Sequence, residues 1–214
     1  MMIPMVNPLR LLLVDDDPFT RLTLCATLQT LKFSNIAPAQ SVTEAISIAL
    51  EIKPQAAIID LDLGEGPTGI DLAHKLREMF PRIGVVILST YAEPRLIGSN
   101  QQPMPERAIY VVKQSISETN TLLDAITSSL NVITSHGMVN SAPSPVEDLG
   151  DIQIDIMRLV AAGMSNAEIA SSLIMQEGSV EKSIARLIKK LGIKASQKQN
   201  QRVLIAHEYH RLTK

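Results

Sequence analysis

The sequence predicts an α/β domain, a doubly wound five-stranded parallel sheet, followed by a small all-α domain. Three observations carry that expectation. Short apolar runs alternate with stretches of helical period over residues 9–130, the pattern left by strands that helices cover on both faces. From residue 149 onward the period is helical only. Charge divides at the same place: residues 1–148 carry 10 Lys and Arg against 16 Asp and Glu, net −6, and residues 149–214 carry 10 against 6, net +4. An acidic module followed by a basic one points to a second half that faces a polyanion.

The elements follow in order. Residues 9–14 are a near-continuous apolar run ending in Asp15, Asp16 and Asp17, and Leu24, Leu28 and Leu31 then recur at helical spacing. A short segment at 33–39 precedes a helix face made of Val42, Ala45, Ile46, Ala49 and Leu50. The run 56–59 ends at Asp60, and after a Gly/Pro turn at 64–67 the stripe Leu72, Ala73, Leu76, Met79 and Phe80 marks the next helix. Runs at 83–88 and 109–112 supply two more strands, and Leu122, Leu123, Ile126 and Leu130 a closing helix. Between those two runs Pro94, Gly98, Pro103 and Pro105 leave room for a short helix at most, then an irregular loop.

Residues 1–131 are therefore expected to form the first domain, 132–148 a linker rich in Ser, Gly and Pro, and 149–214 the second domain. In the second, Ile152, Ile156, Leu159 and Val160 make one stripe, and Ile169, Ala170 and Leu173 a shorter one. Val180, Ile184, Leu187, Ile188 and Leu191 make a third, and Ile205, Tyr209 and Leu212 a fourth. Ser165 with Glu168 fits a capping box, and Gly163 suits the end of the preceding helix. A short helix, a turn at 175–178 and a longer helix from Ser179 give a helix-turn-helix.

Composition narrows the classes. The 45% hydrophobic and 20% charged content of this 214-residue chain is that of an ordinary globular protein. No apolar run approaches the roughly 18 residues that a membrane helix needs, and the amino terminus lacks the basic-then-apolar pattern of a secretory signal. The single cysteine, Cys25, excludes an internal disulfide and suits a reducing cytoplasm. Its apolar helical setting makes it a small hydrophobe rather than a reactive thiol.

In an open parallel sheet, ligands bind beyond the carboxyl ends of the strands. Asp15 and Asp16 follow the first strand and Asp60 ends the third, so adjacent strands would crowd these carboxylates together. That crowding calls for a hard divalent ion such as Mg²⁺. Ser89 follows the fourth strand and Lys113 the fifth. Acids, a metal, a hydroxyl and a lysine suit phosphoryl transfer onto a carboxylate.

The stretches LLLVDDDP at 11–18, IIDLDL at 58–63, VILS at 86–89 and YVVK at 110–113 resemble the four signatures of response-regulator receivers, flavodoxin-like in fold, over residues 9–131. The resemblance implies that Asp60 accepts the phosphoryl group and that Asp15 and Asp16 are the acidic pair, with Asp16 a direct metal ligand and the Asp62 backbone carbonyl another. Ser89 would be the switch hydroxyl, Tyr110 the aromatic that turns inward, and Lys113 the lysine that balances the phosphoryl charge. Two departures stand out. Gln114 follows Lys113 where receivers commonly have proline, and 94–105 lies where they carry a fourth helix.

In the longer helix of the second domain Lys182, Arg186 and Lys189 form an outward basic stripe with Lys190 beside it, suited to phosphates and base edges in a major groove. LVAAGMSNAEIA at 159–170 and SVEKSIARLIKKLGI at 179–193 resemble the LuxR-type helix-turn-helix, and with the receiver the chain resembles NarL/FixJ transcription regulators. That resemblance implies a DNA-binding face of Ser179, Lys182, Arg186, Lys189 and Lys190, with Glu181 and Ser183 departing from the family pattern. It also implies phosphorylation by a sensor histidine kinase, binding to double-stranded DNA, and a homodimer formed through the last helix, about 198–212. Such a chain is a switch rather than an enzyme. Asp60-Leu-Asp62 is also similar to the Asp-x-Asp of haloacid-dehalogenase-type phosphatases, although Leu63 and Gly64 depart from that motif. A regulator driven by a protein partner through 94–105 is a third reading.

Overall fold

The computed structural model of the chain describes residues 7–98, 102–117, 119–131, 146, 148–194 and 199–213. It divides into two compact units, Met1–Ser89 with Gln102–Ser141, and Thr90–Gln101 with Ala142–Lys214.

The first unit is a five-stranded parallel sheet with strand order β2-β1-β3-β4-β5, built from β1 (Asn7–Val14), β2 (Phe33–Ala39), β3 (Ala56–Asp60), β4 (Gly84–Ser89) and β5 (Ile109–Val112). Every pairing is parallel. Side chains alternate across the sheet, so Leu11, Leu13, Ile58, Val86, Leu88 and Val111 share one face and form one core with Leu24, Leu28, Leu122 and Ile126. Those last four come from α1 (Pro18–Thr30) and α4 (Thr119–Leu130). Against β1, β3 and β4 also lie α2 (Val42–Ile52) and α3 (Gly69–Met79), which bury Ala45, Ala49, Leu72, Ala73 and Leu76.

Helix starts are fixed by local chemistry. Asp17 caps α1 by accepting the Thr20 amide at 2.6 Å, and Thr68 and Asp71 cap α3 reciprocally. Gly69 opens α3 where a Cβ would stand 2.0 Å from the Asp60 carbonyl oxygen. Only glycine lets that helix begin so close to the end of β3.

Between β4 and β5 the prolines prevail as expected: among the described residues the one regular element is a 3₁₀ turn at Pro94–Leu96. Residues 102–105 run beside α3 instead, where the Pro103 carbonyl meets the His74 ring at 2.8 Å and the Gln102 amide donates to Asp71 at 3.2 Å. Among the described residues no peptide bond is cis, in keeping with Gln114 in place of proline.

The second unit packs α5 (Asp151–Ala161), α6 (Asn166–Ser172), α7 (Glu177–Lys190) and α8 (Gln201–Leu212) around Val146, Leu149, Ile154, Ile156, Ile169, Val180, Leu187 and Ile205. The predicted capping box of Ser165 with Glu168 is present, and Gly163 closes α5 at φ +85°. Two expectations need correction. Helix α7 starts at Glu177 rather than after Gly178, because extended Gln176 caps it and Ile174, at φ +53° and 96% exposed, makes the turn. Ile152 stands outside the α5 stripe at 54% exposed, in the first turn, where Ile154 and Ile156 already face inward.

Residues 90–98 fall inside the expected first domain, 1–131, and group by contact with the helical unit. The linker expected at 132–148 lies almost wholly outside the described residues, and within it Val146 is buried in the helical core.

Candidate functional site

The strand order brings four strand ends together. Asp15 follows β1, Asp60 ends β3, Ser89 ends β4 and Lys113 follows β5, and these strands are consecutive in the sheet. Asp15 is 1% exposed, Asp60 8% and Ser89 1%. The Lys113 ammonium donates to Asp15 Oδ2 and to Asp60 Oδ2, each at 2.8 Å. One carboxylate oxygen from each of Asp15, Asp16 and Asp60 lies within 4.8 Å of the others, with Asp16 on the exposed side. The Asp17 amide donates to Asp15 Oδ1 at 3.0 Å, and the Arg21 guanidinium to the Asp15 carbonyl.

Electrostatics follow from this crowding. Burial pushes the Asp60 carboxyl up to about 6, against the pull of Lys113, and the Asp15 charge adds to the rise. The Asp62 amide hydrogen bond works the other way. Burial also disfavours the Lys113 ammonium, but its bonds to Asp15 and Asp60 outweigh that and hold its pKa above the ordinary lysine value. Three carboxylates facing one ammonium leave an uncompensated negative charge. A hard cation with oxygen preference fits that donor set.

The remaining predicted residues separate. Asp62 is exposed, its carboxylate accepting the Gly64 amide at 3.3 Å, and it stays out of the cluster of Asp15, Asp16 and Asp60. Tyr110 is buried within β5, opposite Ile87. Two supporting residues escaped the sequence reading: Arg21, which holds the Asp15 backbone, and Gly69, which seats α3 on Asp60. Arg21 gives no signal in one sequence, whereas the Gly64–Gly69 turn is glycine-rich enough to hint at a close approach.

In the helical unit Val180, Ile184 and Leu187 of α7 face the core, and Ser179, Lys182, Arg186 and Lys189 are exposed with Glu181. Lys190 departs from the stripe. Its ammonium donates to the Asp148 carbonyl and, at 3.0 Å, to Gln153, which ties α7 to the start of α5. No described helix is long and apolar enough to cross a membrane.

Known proteins match both units. Residues 11–126 match the response regulator receiver domain family, and residues 148–200 the bacterial regulatory proteins of the luxR family. A nitrate/nitrite response regulator protein homolog of Haemophilus influenzae is 29% identical over 198 residues, covering 88% of this chain and 93% of that one. The oxygen regulatory protein NreC of Staphylococcus aureus is 24% identical over 173 residues, covering 75% and 80%. Among solved structures, the response regulator RcsB in complex with DNA aligns over 97% of this chain and 100% of its own, with TM-score 0.57 at 18% identity. A structure of two RcsB dimers bound to two parallel DNAs gives TM-score 0.54 at 18% identity, over 97% and 100%. Sheet order, strand-end cluster and helical unit agree with these matches, and the chain belongs to the response regulators, with a receiver domain followed by a LuxR-type helix-turn-helix DNA-binding domain.

Proposed function

We propose that Asp60 accepts a phosphoryl group from a sensor histidine kinase and that the modified chain regulates transcription through its helix-turn-helix. The observation that carries this reading is the Lys113 ammonium, 2.8 Å from both Asp15 and Asp60 beside a third carboxylate. An oxygen of Asp60 attacks phosphorus, the bond from phosphorus to the donor imidazole nitrogen breaks with its electrons left on the ring, and an acyl phosphate forms. Lys113 pairs with the phosphoryl oxygens, releasing its grip on Asp60. The Ser89 hydroxyl donates to the same group from the neighbouring strand end, and Tyr110 repacks as Ser89 shifts. Asp15, Asp16, Asp60 and the Asp62 carbonyl would hold Mg²⁺, which when bound neutralises charge on the phosphoryl oxygens.

On the output side Lys182, Arg186 and Lys189 lie on the face of α7 that would enter a major groove, with Ser179 at its start. Lys190 contributes less, because its ammonium is engaged with Asp148 and Gln153. A homodimer of this chain would read paired half-sites, as RcsB dimers bind DNA. The lone Cys25 thiol fits work in the cytoplasm.

Intact mass after incubation with Mg²⁺ and a small acyl phosphate tests the acceptor. One phosphoryl group on wild type and none on Asp60→Asn is expected, and an adduct on Asp60→Asn would refute the assignment. Binding to duplex DNA should weaken steeply as salt rises.

A further inference from the structure

The helical unit is not built from the carboxyl-terminal chain alone. Thr90–Gln101 belongs to it, and the described part, residues 90–98, is bound there at several points. Leu96 is fully buried in the cluster that contains Val146, Leu149, Ile154 and Leu212, and Tyr91 and Ala92 pack against that cluster. The Ala92 amide donates to the Leu212 carbonyl at 2.8 Å, and the Tyr209 hydroxyl to the Leu96 carbonyl at 3.0 Å. Arg95 reaches the Leu149 carbonyl at 2.8 Å, the Val146 carbonyl at 3.3 Å and Asp151 at 3.1 Å. Buried Glu93 holds the Nε edge of the same guanidinium. The Asp151 pair is exposed and contributes little; the backbone carbonyls give the fork its fixed seat.

These bonds tie one segment to two places: Val146, Leu149 and the first residue of α5, Asp151, on one side, and the end of α8 on the other. The stripe on α7 has no part in them. The segment is also stiff, with Glu93 extended, Pro94 fixing its own φ, and a 3₁₀ turn carrying Leu96. Its first residue, Thr90, is one peptide bond from Ser89.

We infer that residues 90–98 are a strap through which Ser89 sets the state of the DNA-binding unit, an inference that rests on the reading of Asp60 as phosphoacceptor and Ser89 as the hydroxyl that moves with it. A packed socket is either filled or empty rather than continuously deformable. When Ser89 shifts, Leu96 and Arg95 leave their seats, and the packing between α8 and α5 loosens. DNA affinity then changes through α8, not by uncovering the basic stripe.

The test uses the full chain with Arg95→Ala and Leu96→Ala, followed by hydrogen exchange and by DNA binding before and after acyl-phosphate treatment. In wild type the amides of Ala92 and α8 exchange slowly. Both substitutions speed exchange there at least tenfold and leave the β1 and β3 amides unchanged. Both gain the phosphoryl mass as wild type does, yet the ratio of DNA affinities with and without it falls to within twofold of one. Tyr209→Phe, which loses only one hydroxyl bond, moves the same amides by a smaller factor and keeps the test open if Leu96→Ala fails to fold. Unaltered α8 exchange in these variants, or a wild-type affinity ratio, overturns the strap. Should wild type gain no phosphoryl mass, the acceptor reading fails, and the strap then stands or falls on the exchange and DNA affinity of the variants alone.

Discussion

The two charged regions of this molecule are built in opposite ways. At the strand ends Asp15, Asp60 and Lys113 converge and are largely buried, each fixed by a different strand of one sheet. On α7 the charges of Lys182, Arg186 and Lys189 diverge into solvent from a single helix. Convergent charge is expensive and every member depends on the others, so geometry dictates the chemistry. Divergent charge is cheap and replaceable, and it fixes the class of partner without fixing the sequence that is read.

Removing one member of each region measures that difference, beginning with the largest effect. Lys113→Met keeps the apolar stem but strands Asp15 and Asp60, and should cost about 4 kcal/mol in chemical denaturation at neutral pH; a loss below about 1 kcal/mol would mean the cluster is solvated. Gly69→Ala puts a Cβ 2.0 Å from the Asp60 carbonyl, so α3 must move. About 3 kcal/mol of stability should be lost, together with most of the phosphoryl uptake, and uptake at the wild-type rate would show that the approach is not needed.

The raised carboxyl of Asp60, about 6 in the fold, gives the third prediction its sign. The folded chain binds a proton between about pH 4 and 6 that the unfolded chain does not, so metal-free stability from this group falls as pH rises through 6. Asp60→Asn should therefore be more stable than wild type by about 2 kcal/mol at pH 7 without Mg²⁺. That advantage should vanish near pH 4, and a pH-independent difference would refute it. In the divergent region Arg186→Ala should weaken DNA binding several-fold and lower the salt slope by about one. Lys190→Ala should change binding less than twofold. The turn before α7 gives a last test: Ile174 holds φ +53° at 96% exposure, so Ile174→Gly should raise stability by about 1 kcal/mol in a thermal melt.

The same contrast explains what the sequence revealed. Strand ends were legible because an apolar run ending in Asp60 or Lys113 places those residues at the same edge once the strands are parallel. The capping box at Ser165 was legible because it is local. Helix α7 began two residues early because Gln176 caps it without a side-chain bond, which no residue type announces. Lys190 read as a DNA-facing neighbour of the stripe because periodicity sees one helix at a time, while its partners Asp148 and Gln153 lie 42 and 37 residues away. For the same reason nothing in the run from Thr90 to Gly98 reveals that Leu96 finds its socket among residues of the distant carboxyl terminus.

Neither unit is a single continuous stretch of chain, and this limits how the protein can be recombined. A chimera joined within 132–148 would graft the helix-turn-helix onto another receiver but leave behind Leu96, Arg95 and the amide that meets Leu212. The transplanted module would arrive with an apolar socket open to water and without the donors that Arg95 and Ala92 supply to the Val146, Leu149 and Leu212 carbonyls. Exchange between relatives of this chain is thus expected to succeed only when the β4–β5 connection travels with the carboxyl-terminal helices, so that the heritable module is defined by contact rather than by adjacency in the gene.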